Sequence, residues 1–124
     1  MPAARDDYLL RLITQAAAAV RRFRERLTGG AAADEVARDA GAAIVELLGP
    51  SHDVLQRLDP RSAASILGDP DRVRAWSALL AVQADARRLA GDLATADRLA
   101  AQARALLAGL PPEVPRTTGP GRLT

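Results

Sequence analysis

Trp76 to Leu107 reads WSALLAVQADARRLAGDLATADRLAAQARALL, two amphipathic runs on either side of Gly91-Asp92. Gly91 stands where a helix-ending residue takes positive φ, and the Asp92 carboxylate can accept hydrogen bonds from the first amides of a following helix. The stretch therefore predicts an antiparallel helical hairpin. In the second run Leu93, Ala96, Leu99, Ala100, Ala103, Leu106 and Leu107 recur at three- and four-residue spacing in one stripe, with Asp97, Arg98, Gln102 and Arg104 outside it. Alanine fills little space, so at Ala96, Ala100 and Ala103 a neighbouring helix can approach to the short end of the usual ~8–10 Å range. The first run is apolar over a wider arc that includes Val73, Trp76, Leu79, Leu80, Val82, Ala84, Ala86 and Leu89. Its polar strip is narrow: Arg74, Ser77, Asp85 and Arg88. A helix of that pattern is covered on two sides, which places it at the centre, between the last helix and the N-terminal half of the chain.

The hairpin resembles one tetratricopeptide repeat, with Ala84, Gly91, Leu93, Ala96, Ala103 and the later Pro111 at or near that repeat's signature spacing. Trp76 lies ahead of the repeat's tryptophan position, Leu80 and Arg87 occupy its large aromatic positions, and no second copy is visible at a period near ~34 residues. One such unit cannot bury both faces, so it must lean on other helices or on a second chain.

Upstream, Asp59-Pro60 and Asp69-Pro70 are the same device used twice. Proline at the first helical position loses no hydrogen bond and the preceding aspartate caps, so each dipeptide opens a helix. The first helix so opened is short and ends at Leu67-Gly68; the second is the central one. Ser51 reads as the N-cap of another short helix through Leu58. Between about Ala32 and Leu48, the residues Val36, Ala40, Ala43, Ile44, Leu47 and Leu48 form an amphipathic helix closed by Gly49-Pro50. Gly41 within it marks a close helix approach or simple tolerance. At the N-terminus Asp6 or Asp7 can cap a helix to about Leu27, with Leu9, Leu12, Ile13, Ala16, Val20, Phe23 and Leu27 on one face and Thr28-Gly29-Gly30 as its stop.

This first helix resembles the opening of a family of small bacterial helical proteins of unknown function, which reads Asp-Tyr-aliphatic-aliphatic-Arg-aliphatic-Ile-x-Gln. Here the residues are Asp7, Tyr8, Leu9, Leu10, Arg11, Leu12, Ile13, Thr14 and Gln15. The likeness continues at Leu47-Leu48-Gly49 and in the C-terminal hairpin, and it implies a fold without an activity. The expectation is an all-α domain over residues 1–109, with four to six helices and the tetratricopeptide-like hairpin packed on the N-terminal ones. Residues 110–124, with four prolines, two glycines and no periodic apolar positions, read as a flexible tail.

The 124 residues fit one domain. With 28 alanines, 17 arginines, no lysine and no cysteine, the composition follows GC-rich codons, and that accounts for the arginines without a nucleic-acid surface. Almost nothing titrates between His and Arg, so a net charge of only +2 drives the pI to about 10.3. Absence of cysteine rules out disulfides and thiolate metal sites and suits a bacterial cytoplasm. No export signal is apparent, and the longest charge-free run, Ala75 to Ala84, is half a membrane span.

The search for chemistry is mostly negative. Ser51-His52-Asp53 holds the three residue types of a hydrolytic triad, but consecutive residues at a helix start point apart and cannot form the relay. His52 is the sole histidine, so with no cysteine a zinc site would need carboxylates alone; Asp69 and Asp71 lack the loop spacing of a calcium site, and no Gly-rich phosphate loop or other cofactor motif occurs. Trp76 reads as a core anchor. The residues picked out for partner contacts are Arg21, Arg22 and Arg24 on the first helix and Ala96, Ala100 and Ala103 on the last. The expected function is a non-catalytic helical interaction module, adaptor or assembly subunit that pairs with a protein partner or with itself, as a homodimer. The alternatives are a nucleic-acid or phosphate binder using the first-helix arginines and, third, a small enzyme of unknown reaction.

Overall fold

A computed structural model of the chain describes residues 3–111, and these form six α-helices with one short 3-10 turn. The helices are α1 (Ala3–Thr28), α2 (Ala33–Leu48), α3 (His52–Arg57), α4 (Pro60–Leu67), α5 (Pro70–Leu89) and α6 (Leu93–Ala108); the turn, Gly49–Ser51, joins α2 to α3. Among the described residues no strand occurs. The fold is all-α, with the C-terminal hairpin packed on the N-terminal helices. Of the stretch read as a flexible tail, 110–124, the part beyond Pro111 lies outside the described residues, and Leu110, read as its first residue, is instead half-buried against the core.

The helix starts follow the local chemistry. Asp59 accepts the Ser62 amide at 3.1 Å, Asp69 accepts the amides of Asp71 and Arg72 at 2.9 and 3.2 Å, and Asp92 accepts that of Thr95 at 3.2 Å. Gly91, with φ of 90°, ends the α5 turn in the left-handed region that a side chain would strain. Two expected caps differ. Asp6 and Asp7 lie inside α1, because Ala3, Ala4 and Arg5 ahead of them are good helix formers and nothing breaks the run. Ser51 has helical φ and ψ of −80° and −8° and makes no cap hydrogen bond. The 3-10 turn runs straight into α3, so Ser51 never takes the extended backbone that aims a capping oxygen at the next amides.

α5 is the central helix and has more buried residues than any other, Trp76 among them with no solvent exposure. One flank of α5 meets α2 and α1, the other α6. The order of contacts gives the directions. Arg72 reaches Leu47, Gln83 reaches Ala37 and Arg87 reaches Asp34, so α2 and α5 are antiparallel. Ser77 meets Ala103 and Arg88 meets Asp97, so α5 and α6 are antiparallel as well. Part of the polar strip of α5 therefore faces the seam with α6 instead of water. Ser77 is buried, and its hydroxyl donates to the Ala103 carbonyl at 2.8 Å.

α1 and α2 form the other hairpin, clasped by Arg26 and Asp39 at 2.8 Å. Gly41 of α2 faces α5, where an added Cβ would lie 3.1 Å from the Gln83 amide nitrogen. It therefore marks a close helix approach within an unbroken helix. α4 closes the end of the bundle over the last turn of α6. No helix among the described residues is long and apolar enough to cross a membrane.

Candidate functional site

α1 has 26 residues against 16 in α2. At the usual rise of 1.5 Å per residue they span about 39 and 24 Å. The two helices are joined by a short turn between Thr28 and Ala33, so they start side by side at that end and the longer α1 runs on past the end of α2. The helix α1 thus extends beyond α2 with its most apolar turns. Buried residues on α1 begin at Ala16, followed by Ala19 and Phe23. In the preceding turns Leu9, Leu12 and Ile13 are only half-buried, and Tyr8 and Leu10 are 55% and 58% exposed.

Running on from this ridge is a groove of about 720 Å³ between α1 and α2. Its floor is Ala16, Ala19, Phe23, Ala43 and Leu47. One wall is Leu12, Gln15, Ala18 and Arg22; the other is Ala42, Val45 and Glu46. The groove is open because five of these residues are alanine, and the space that larger side chains would fill stays empty. Arg22 and Arg26 sit over the Phe23 ring, 5.9 and 5.8 Å from its centroid, a cation-π arrangement that holds the ring edge of the groove. The result is an apolar trough with charge at its rim, the shape that accepts an amphipathic helix.

The six residues picked out from sequence fall in different places. Arg21 is exposed; Arg22 lines the groove; Arg24 is held by Asp85 of α5 at 3.3 Å. The three arginines form no common patch. Ala96 and Ala103 are buried, and Ala100 is half-buried at the edge of a smaller cleft of about 230 Å³ along the α5/α6 seam. The chain's own α5 already fills the alanine face of α6, so in the single chain Ala96 and Ala103 offer no free surface. The α2 wall was not singled out from sequence. Its signal is Val45, an apolar residue off the α2 stripe and 47% exposed.

His52 departs from the sequence reading. Its Nδ1 lies 3.1 Å from the Asp53 carboxylate and its Nε2 lies 3.2 Å from the Gln56 amide. Adjacent residues do meet here, because the imidazole turns back along the helix surface to its neighbour. Both ring nitrogens are occupied, and neither contact is with a nucleophile. Among the described residues no group of three or more His, Asp or Glu side chains is placed to hold a metal. The two carboxyls shifted clearly from the ordinary value of 3.8 are structural caps, Asp59 and Asp92. Both are lowered, Asp59 by the Ser62 hydroxyl and amide, Asp92 by the Thr95 hydroxyl and amide and by nearby Arg87 and Arg98.

Comparison of the chain with protein-family models, curated proteins and solved structures finds no match.

Proposed function

We propose that this chain is a helical protein-protein interaction module, an adaptor or assembly subunit without catalytic activity, working in the cytoplasm. The observation that carries the reading is the α1/α2 groove, about 720 Å³, walled by Val45, 47% exposed, and continuous with a helical ridge on which Tyr8 is 55% exposed. Large side chains held in water beside an apolar trough mark a surface shaped to be covered. The nucleic-acid alternative has less behind it. Arg24 and Arg26 are engaged with Asp85 and Asp39, and Arg21, Arg22 and Arg24 point in different directions around α1.

The test is affinity purification from the native host with the full chain and with Ala42→Tyr. Ala42 is an exposed groove-wall residue, so tyrosine there fills the trough without touching the core. Docking at the groove requires that the bound protein, or the second copy, be lost with Ala42→Tyr at unchanged thermal stability. Binding untouched by that change, or nucleic-acid binding that weakens steeply with salt and on Arg21→Glu, rejects the reading.

A further inference from the structure

We propose that the occupant of the groove is a second copy of this chain, docked α1 against α1 in antiparallel sense about a two-fold axis between Thr14 and Gln15. This rests on the reading of the groove as a docking surface. The first argument is steric. On one helix, Tyr8 and Leu12 stand on the groove side without full cover, and the next three turns border a hollow lined by alanine. A two-fold interface needs a patch that complements itself when reversed. Ridge followed by hollow on the same helix has that property: turned end for end, each copy sets its ridge in the other's hollow.

Charge selects the register. Asp7 and Arg22 are exposed, lie on neighbouring rows of α1, and are about 22 Å apart along its axis at 1.5 Å per residue. A two-fold at their midpoint brings Asp7 of each copy to Arg22 of the other. A parallel pairing in register would set Asp7 on Asp7 and Arg22 on Arg22. Pairs this exposed supply little affinity and act by excluding the wrong register, while burial of the ridge supplies the attraction.

The experiment uses the full chain. Sedimentation equilibrium across the micromolar range should show a monomer–dimer equilibrium. The protein has no cysteine, so Gln15→Cys introduces a single thiol next to the axis. It should oxidise to a covalent dimer, since two copies there come within the ~7 Å Cα separation a disulfide tolerates. Arg98→Cys, on the far side of the molecule, should not. Asp7→Arg should raise the dimer dissociation constant about tenfold, and Asp7→Arg combined with Arg22→Asp should restore it. A monomer throughout, a dimer that cross-links through Arg98→Cys and not Gln15→Cys, or a reversal without rescue overturns the proposal. If the chain is monomeric yet its host partner is still lost with Ala42→Tyr, the second copy is wrong and the docking reading stands. A dimer indifferent to Ala42→Tyr overturns both.

Discussion

Arg72 of α5 donates from Nε and a terminal nitrogen to one carbonyl oxygen, that of Leu47 in α2, at 3.0 and 2.8 Å. The last carbonyls of a helix have no partner within it, so a guanidinium from another element here satisfies an otherwise orphaned acceptor. The fork ties the C-terminal end of α2 to the start of the central helix. Arg72→Met keeps the stem and removes the donors, and should destabilise the fold by about 1.5–3 kcal/mol in urea titration. Arg72→Lys should recover only part of this, because an ammonium lacks the planar fork.

Two glycines that pack against neighbouring helices should respond differently to alanine. At Gly109 an added Cβ would lie 3.1 Å from the Arg61 Cα and 3.2 Å from the Ala64 Cβ, atoms held by the α4 backbone. Gly109→Ala should therefore cost about 1–3 kcal/mol by overpacking. At Gly41 the obstacle is the flexible end of Gln83, 3.1 Å away, which gives up a 3.2 Å bond to the Ala37 carbonyl when it moves. Alanine gains about 1 kcal/mol of helix propensity at that position, so Gly41→Ala should come out near neutral. Equal losses at both sites in thermal melts would contradict the packing described.

Stability should fall in acid through the two lowered caps. A carboxyl whose pKa is below its unfolded value stabilises the fold above that value, and the contribution disappears as pH falls through the folded pKa. With unfolded values of 3.8 for Asp59 and Asp92, stability should hold steady at neutral pH and decline as pH drops below 3.8. Asparagine also caps well but does not titrate there. The Asp59→Asn, Asp92→Asn double variant should keep its neutral-pH melting temperature and show a flatter acid limb.

Trp76 is wholly buried, and its indole N–H has no hydrogen-bond partner among the described residues. Trp76→Ala should cost about 3–5 kcal/mol through the cavity it opens. Trp76→Phe should cost clearly less, since it removes a donor whose burial without a partner is itself unfavourable by about 1–3 kcal/mol. As the sole tryptophan, it should also emit at short wavelength in the native state and shift to the red on unfolding.

The elements and their ends were legible in the sequence because each depends on a few adjacent residues. Asp59, Asp69 and Asp92 cap amides two or three positions on, Gly91 supplies a backbone angle at its own position, and the wide apolar arc from Val73 to Leu89 marks the central helix wherever its neighbours lie. Which faces those neighbours cover depends on the offset of one helix against another, and only the tertiary packing sets that. The periodicity of α6 shows an alanine stripe but not that α5 occupies it, so Ala96 and Ala103 read from sequence as open contact points. Ser77 belongs to a polar strip by composition, yet the α5/α6 seam can bury it because the Ala103 carbonyl accepts a hydrogen bond from its hydroxyl. The groove is the clearest case. Its walls come from helices of unequal length, and the overhang that leaves Tyr8 and Leu12 without full cover follows from how α2 lies along α1, a pairing of residues, Arg26 with Asp39 among them, that carry no local signal of each other.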